Sequence, residues 1–409
     1  MAGEIIRPPA HWFQRWTIHL TLQSRSWQPN ADVIGQPKSD PKTGTIPLST
    51  SIDTRFSRII CGHHPTWENT GARKQGARAR GMTMKDRKKK TPAKAKTTAK
   101  TKTTAKNTGK STTKTETMLP RERSEYSAIV DRPPLWLPNG ARLVFWSIVN
   151  LEVWDIGKPM ARQVLAPPTG LTQIPDVPNW SWHEYGMRVG VWRFFDLFKR
   201  RKIRPTLAIN ARVCEDYARV AQEAKGDGWE FMAHSYQQGP IHQEPNQKAM
   251  IRHSLDVIER FTGRRPVGWL GPGLTQTLET PDLLAAAGIK YIGDWVYDDE
   301  PTTIRTASGP LVTLPYTMEL NDIPMMTVQH HEAEYLTKRA IDQFDRLYAE
   351  GEKRAKILAL AIHPYLSGQP HRIKYLEAIY DYARKFDKVV YWTGEEILDW
   401  YQKCADATR

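Results

Sequence analysis

The sequence lacks the cysteine spacings that build disulfide frameworks or zinc sites. Its three cysteines, Cys61, Cys214 and Cys404, lie far apart, and no CxxC pair occurs. This pattern predicts neither a disulfide scaffold nor a zinc knuckle. The sequence also lacks any apolar run near the ~18 residues of a membrane helix, and its first residues do not form a signal peptide. We therefore expect a cytoplasmic protein with no membrane partner.

Basic charge is unevenly distributed along the chain, and residues 119–409 have almost no net charge. Of the net charge of +15, residues 1–81 carry about +6 and residues 82–118 about +10, which leaves the remainder close to neutral. A nearly neutral domain lacks the excess of basic residues that is typical of nucleic-acid-binding proteins. Contact with nucleic acid is thus expected only through the basic segment 82–118, if at all.

The first 118 residues show no pattern of a folded core. Residues 1–81 have no sustained period of 2 or 3.6, and residues 85–117 are Lys, Thr and Ala with no large apolar side chain. We predict that residues 1–81 are poorly structured and that residues 82–118 are a disordered linker or tail. Met82, Met84 and Met118 could also be starts of the native protein, in which case residues 1–81 are not translated.

From residue 119 to 409 the sequence pattern is different: apolar runs alternate with amphipathic segments. This alternation is typical of βα units, and seven or eight strands in about 260 residues favour a barrel. We predict an α/β domain with a distorted TIM-like (β/α)7-8 barrel. The predicted strands are 143–149, 205–209, 230–233, 267–270, 291–293, 311–315, 357–362 and 389–391. The predicted helices are 186–200, 211–226, 243–262, 281–287, 333–350, 372–385 and 393–403.

Polar residues collect directly after the predicted strands. In a βα barrel these positions share the C-terminal rim, so side chains that are distant in sequence converge there. Each has an ordinary structural alternative: Glu152 could cap a helix, His234 could be a satisfied core histidine, and His363 could fix the loop before Pro364. The clusters are Asn150 and Glu152; His234 and Gln238; Asp294, Trp295, Asp298 and Asp299; Tyr316, Asn321 and Asp322; and His363 to Tyr365.

The order of these motifs resembles the polysaccharide deacetylase (NodB-homology) superfamily. The resemblance covers about residues 130–402 and rests on Glu152, on the segments 229–235, 265–269 and 294–299, and on His363-Pro364. Within the superfamily, the segments 298–301, 314–316 and 363–372 are similar to the branch that contains the metal-independent allantoinases. The resemblance implies a hydrolase of carbon–nitrogen bonds other than peptide bonds.

The resemblance also implies a site that departs from the usual metal centre. Typical members have two aspartates after the first strand and two histidines after a later strand. Here Asn150 and Glu152 replace the first pair, and Gln238 replaces one histidine. Because a catalytic zinc takes three protein ligands, we expect no bound cofactor; if a divalent metal such as zinc binds, Glu152 and His234 are its ligands.

Without a metal, acid and base residues must perform the hydrolysis. We predict Glu152 as the general base and His363 as the general acid that protonates the leaving nitrogen. Asp294, Asp298 or Asp299 is expected to orient His363, although the two adjacent aspartates could equally be turn or cap residues. His234 is expected to polarise the substrate carbonyl or to hold the water.

The substrate is expected to be an oligosaccharide or a small molecule. Aromatic residues at strand ends could form a stacking platform or merely a core rim, and Arg372 could hold a carboxylate or carbonyl. The predicted substrate-binding residues are Asn150, Gln238, Trp269, Trp295, Tyr316, Asn321 and Arg372.

Three functions remain open at this point. The first is an acid–base hydrolase that removes acetyl from an N-acetylated sugar or opens a cyclic amide or ureide. The second is a zinc-dependent deacetylase with non-standard ligands, and the third is a catalytically silent barrel that binds carbohydrate or a small metabolite. Assembly into a homo-oligomer is possible with each of them.

Overall fold

The computed structural model describes residues 117–407. The predictions for residues 1–116 lie outside this range. The strands are β1 (Leu143–Leu151), β2 (Thr206–Ile209), β3 (Glu230–Ala233), β4 (Gly268–Trp269), β5 (Tyr291–Ile292), β6 (Thr302–Ile304), β7 (Leu311–Thr313), β8 (Lys356–Ile362) and β9 (Val389–Tyr391). The helices are α1 (Pro120–Arg123), α2 (Val177–Tyr185), α3 (Val191–Arg201), α4 (Val213–Asp216), α5 (Ala218–Gly226), α6 (Gln247–Thr262), α7 (Thr280–Ala286), α8 (Ala333–Glu350), α9 (Ile373–Ala383) and α10 (Gly394–Ala407).

The strands form one curved and mostly parallel sheet. Its order is β6-β7-β5-β4-β3-β2-β1-β8, and β9 pairs with the start of β1. Only β6 runs antiparallel to its neighbour. The loop that follows β7 contacts the β8 end of the sheet through an isolated parallel bridge from Asn321 to Ala361. The predicted α/β barrel-like fold is confirmed, as a partly closed barrel.

Two apolar cores lie on opposite faces of the sheet. Along β1, Leu143 and Phe145 face the helical layer, whereas Val144 and Trp146 belong to the other core. This alternation is what the period-2 geometry of a strand requires. The second core also contains Trp400 of α10, so this helix packs against the inside of the barrel.

Most predicted elements are confirmed, but α1 and α2 were not predicted, and the predicted helix 211–226 is divided at Tyr217 into α4 and α5. The predicted helix 186–200 is wrong at its start, because α2 begins at Val177 and one turn of π-helix, Gly186–Gly190, joins it to α3. The two glycines allow close backbone contact, since a Cβ on Gly190 would lie 2.1 Å from the carbonyl oxygen of Pro364. Strand β6 was not predicted. Among the described residues, no helix is long and apolar enough to cross a membrane.

Candidate active site

Three predicted residues meet where the strands end at their carboxyl edge. Glu152 follows β1, His234 follows β3, and His363 follows β8. The Oε1 atom of Glu152 lies 3.5 Å from Nε2 of His363 and 4.0 Å from Nε2 of His234. All three side chains are almost fully buried. The barrel therefore brings one carboxylate and two imidazoles into a single cluster.

Glu152 is held by contacts on both of its carboxylate oxygens. Oε1 accepts a hydrogen bond from the side-chain amide of Gln238 at 2.8 Å. Oε2 accepts from the Tyr365 hydroxyl at 2.9 Å and from the indole of Trp154 at 3.3 Å. A buried carboxylate needs such partners to offset the loss of hydration. These contacts also fix the direction in which Glu152 faces His363.

Asp322 orients His363. Its Oδ1 accepts from Nδ1 of His363 at 2.6 Å, and its Oδ2 accepts from the backbone N–H of His363 at 2.8 Å and from the Ser367 hydroxyl at 2.6 Å. Asp322 is completely buried. Because Nδ1 points to this carboxylate, Nε2 of His363 is directed toward Glu152.

The charges of Glu152 and His363 stabilise each other. Burial raises the pKa of the Glu152 carboxyl, but the positive charge and hydrogen bond of His363 outweigh the effect of burial and lower the pKa to about 2. For His363, burial lowers the pKa, whereas Asp322 and Glu152 together raise it to about 9. At neutral pH the cluster thus contains an ionised carboxylate beside a protonated imidazole.

His234 differs from His363 in tautomer and charge. Its Nδ1 donates a hydrogen bond to the carbonyl oxygen of Leu270 at 2.6 Å, and burial lowers its pKa. A neutral imidazole that donates through Nδ1 carries a lone pair on Nε2. His234 can therefore accept a hydrogen bond at the site but cannot donate one. Polarisation of a carbonyl by His234 is contradicted, and only its alternative role of holding water is compatible with this geometry.

The three aspartates expected to orient His363 lie elsewhere. Asp298 pairs with Arg132 at 2.7 Å, and Asp299 pairs with Lys356 at 3.3 Å. Lys356 begins β8, roughly 20 Å before His363 at about 3.3 Å per residue. Asp294 accepts from the backbone N–H of Gly271 at 2.6 Å. The orienting role assigned to Asp294, Asp298 and Asp299 is therefore wrong, and the loop that follows β7 supplies the carboxylate instead.

Three predicted substrate-binding residues form a buried polar group beside the cluster. Asn321 donates to the Tyr316 hydroxyl at 3.3 Å. Asn150 donates to the carbonyl oxygen of Ile362 at 3.4 Å. Gln238 is the fourth predicted residue near the site, where it contacts Glu152 rather than open space.

The other predicted substrate-binding residues are not brought to the cluster. Trp269 is fully buried in the core between the sheet and the helices, which excludes it as a stacking platform. Trp295 lines a different cavity of about 1020 Å³, whose walls include none of the three cluster residues. Arg372 precedes α9, where its backbone N–H donates to Gln369.

His183 was missed by the sequence reasoning. It lies in α2, its ring is 4.3 Å from that of Tyr365 and 5.0 Å from that of Trp154, and Nδ1 donates to the carbonyl oxygen of Asn179. Burial lowers its pKa to about 4. Because α2 was not predicted, no periodicity could place His183 behind the aromatic residues that hold Glu152.

The donor set does not fit a catalytic zinc. Glu152 and His234 could each supply one ligand, but Gln238 directs its amide nitrogen toward Glu152, and His363 is engaged by Asp322 at Nδ1 and by Glu152 at Nε2. Two ligands fall short of the three that a catalytic zinc takes. Within residues 117–407, no group of three or more His, Cys, Asp or Glu side chains is placed to hold a metal.

Comparison with known proteins shows which family part of the chain is similar to. Residues 182–292 match the polysaccharide deacetylase family. The chain is 26% identical over 249 residues to a peptidoglycan deacetylase from Helicobacter pylori, an alignment that covers 53% of this chain and 84% of the relative.

Two solved structures share the fold over the same region. A probable polysaccharide deacetylase from Pseudomonas aeruginosa superimposes with a TM-score of 0.59 at 28% identity, covering 67% of this chain and 95% of the other. An allantoinase superimposes with a TM-score of 0.60 at 24% identity, covering 66% and 94%. At that identity the allantoinase shows the fold alone. Motif order, the family match over residues 182–292 and the fold agree, and the expected resemblance to the polysaccharide deacetylase superfamily is confirmed.

Proposed function

We propose that this protein hydrolyses a carbon–nitrogen bond other than a peptide bond, with Glu152 as general base and His363 as general acid. The observation that carries the proposal is the 3.5 Å approach of Glu152 Oε1 to His363 Nε2, with opposite shifts in their pKa values. The match to the polysaccharide deacetylase family supports a deacetylase or hydrolase role. The acid–base assignment rests on the geometry.

The proton transfers follow from the resting charges. Glu152 accepts a proton from the attacking water as the new C–O bond forms, and His363 donates its Nε2 proton to the nitrogen as the C–N bond breaks. The proton on Glu152 then returns to His363 across the same short gap. A carboxyl with a pKa near 2 is a weak base, but its basicity rises once the neighbouring imidazolium has given up its proton.

His234 and the buried amides complete the proposed arrangement. The Nε2 lone pair of His234 faces Glu152 and can accept one hydrogen of the water, whose other hydrogen points to the carboxylate. A water held in this way is positioned for attack. The fixed dipoles of Asn150 and Tyr316 lie next to the cluster and are candidates for contact with the substrate carbonyl.

Two substrate classes fit the proposal. Deacetylation of an N-acetylated sugar is supported by the peptidoglycan and polysaccharide deacetylases to which the chain is similar. Opening of a cyclic amide or ureide is supported by the allantoinase-like motifs at 298–301 and 363–372 and by the replacement of metal ligands with Asn150 and Gln238.

Hydrolysis assays with both substrate classes test the proposal. Purified protein is incubated with acetylated chitooligomers and with allantoin-like ureides, and acetate or the opened ureide is measured. We expect turnover of one class and a loss of about 10²–10⁴-fold in Glu152→Gln and in His363→Gln. Asp299→Asn is the matched control, since this aspartate pairs with Lys356 away from the site.

Two results would overturn the proposal. Wild-type turnover by Glu152→Gln and His363→Gln would remove both residues from the mechanism. Measurable binding of a ligand without turnover of any carbon–nitrogen substrate would favour the catalytically silent barrel.

A further inference from the structure

One peptide unit links a buried carboxylate to His234. The carbonyl oxygen of Leu270 accepts from Nδ1 of His234 at 2.6 Å, and the N–H of the same peptide, on Gly271, donates to Oδ1 of Asp294 at 2.6 Å. The carboxylate, the peptide and the imidazole therefore form a continuous chain of two short hydrogen bonds. Hydrogen bonds in such a chain polarise one another.

Asp294 has no other partner that explains its position. It is 92% buried, since only 8% of its surface is exposed, and its Oδ2 atom is buried with no hydrogen-bond partner. The tight approach also requires glycine at position 271, because a Cβ there would lie 2.6 Å from the carbonyl oxygen of Thr275 and 3.1 Å from Oδ2 of Asp294. A buried carboxylate with one unsatisfied oxygen is costly for stability. This loss of stability has a functional reason if the hydrogen bond between Asp294 and Gly271 positions a residue of the site.

The tautomer of His234 is the property this chain controls. A negative charge at the N–H end of the peptide increases the electron density on the carbonyl oxygen of Leu270, which strengthens its hydrogen bond to Nδ1–H. With the proton fixed on Nδ1, Nε2 keeps its lone pair directed toward Glu152. The opposite tautomer would place a hydrogen on Nε2 and abolish its capacity as an acceptor.

We propose that Asp294 is a positioning residue that fixes the tautomer of His234 through the Leu270–Gly271 peptide. This inference rests on the proposed acceptor role of His234 for its catalytic meaning. The tautomer itself is measurable without any substrate.

Nitrogen NMR of the histidine side chains tests the inference directly. Protonated and unprotonated ring nitrogens of a neutral imidazole have well-separated ¹⁵N shifts, so the spectrum reports the tautomer. The chain has 12 histidines, and the signals of His234 are assigned from their absence in His234→Gln. Burial raises the pKa of Asp294 to about 7, so the wild type is measured at a pH about one unit higher, where Asp294 is mostly ionised. Under these conditions we expect Nδ1 protonated and Nε2 unprotonated.

Substitution of Asp294 should change these signals in a graded way. Asp294→Ala removes the acceptor for Gly271, so we expect the Nδ1 and Nε2 shifts to move toward each other as the second tautomer becomes populated. Asp294→Asn keeps an acceptor oxygen without the charge and should lie between the wild type and Asp294→Ala. Asp299 follows Asp294 by five residues and pairs with Lys356. Asp299→Asn should therefore leave the signals unchanged.

The kinetic readout separates positioning from stability. Once a substrate is identified, we expect Asp294→Ala to lower kcat by about 10- to 100-fold with little change in KM, as for other carboxylates that orient a histidine. Unchanged His234 shifts in Asp294→Ala, or an equal change in Asp299→Asn, would overturn the inference. A graded NMR response without hydrolysis would instead refute the proposed function and leave the positioning role standing.

Discussion

At the scale of single residues, the candidate site is built from buried charges that are each satisfied by several partners. Glu152 accepts hydrogen bonds from Gln238, Tyr365 and Trp154. Asp322 accepts hydrogen bonds from both the ring and the backbone N–H of His363. Such networks are costly when incomplete, because the interior does not screen an unpaired charge. The site therefore holds the proposed acid and base in fixed positions.

Neutralising Asp322 should change the pH dependence of activity. The charge of Asp322 raises the pKa of His363, so in Asp322→Asn this pKa should fall from about 9 toward the ordinary value of 6.5. Because the proposed acid must be protonated, the alkaline limb of the kcat profile should move to lower pH. Asp298→Asn, at an aspartate that contacts Arg132 and the backbone N–H of Glu300 rather than His363, should leave the limb in place; a limb unmoved in Asp322→Asn would contradict the assignment.

The sequence predicts the residues that directly follow strands but not their partners. Glu152, His234 and His363 each come one residue after a strand, so the alternation of apolar runs was sufficient to place them on one rim. Asp322 lies in a long loop, and its contact with His363 depends on the bridge between Asn321 and Ala361. No local pattern encodes this isolated bridge.

At the scale of elements, the loop between β1 and α2 connects Glu152 to His183. The side chain of Asn179 holds this loop in place through hydrogen bonds. Asn179 accepts from the N–H groups of Val164 and Leu165 through Oδ1, and its Nδ2 donates to Leu165 and to Asp176. This residue is almost fully buried. One side chain in α2 thus replaces the backbone pairing that an irregular loop lacks.

Removing Asn179 should loosen this loop without unfolding the barrel. In Asn179→Ala four hydrogen bonds are lost, each with a net value of about 1 kcal/mol, and we expect faster amide exchange at Val164 and Leu165. Hydrogen exchange read by mass spectrometry over 154–176 measures the effect. Asn246→Ala, which removes the side-chain cap of α6, is a matched control and should leave exchange in the loop unchanged. Equal protection of the loop in wild type and Asn179→Ala would refute this role.

Elements with a long apolar signal were predictable, and short or irregular ones were not. The buried strands β1 and β8 read as continuous apolar runs, and the bounds of α8 agree with the prediction. Strand β6 has three residues, and two of them are threonine. A strand of this length is too short to give a periodic signal in the sequence. The π-turn at 186–190 depends on tertiary contact with residues 364 and 365, which propensity does not report.

At the scale of the whole molecule, the buried pair links stability to pH. A group with a raised pKa in the folded state stabilises the fold fully below its unfolded value and loses that contribution as the pH rises through the folded value. For His363 this loss falls between about 6.5 and 9. For Glu152, whose pKa is lowered, stabilisation is present above about 4.5 and is lost as the pH falls through about 2.

The stability of the wild-type protein should therefore decrease between pH 7 and 9. Denaturant unfolding across this range measures the slope. In Glu152→Gln one of the two carboxylates that raise the pKa of His363 is neutral, so the decrease should be smaller; Asp299→Asn should retain the wild-type slope. A wild-type slope that is zero or positive over pH 7–9 would contradict the assigned charge state of His363.

We propose that this deacetylase-like barrel works through Glu152 and His363 rather than through a metal. The most direct test of this proposal is the rate of hydrolysis of the identified carbon–nitrogen substrate after exhaustive chelation, for the wild type and for Glu152→Gln. We predict that the chelated wild type keeps its full rate and that the variant is slower by about 10²–10⁴-fold. Loss of wild-type activity on chelation, with recovery when zinc is restored, would contradict the account.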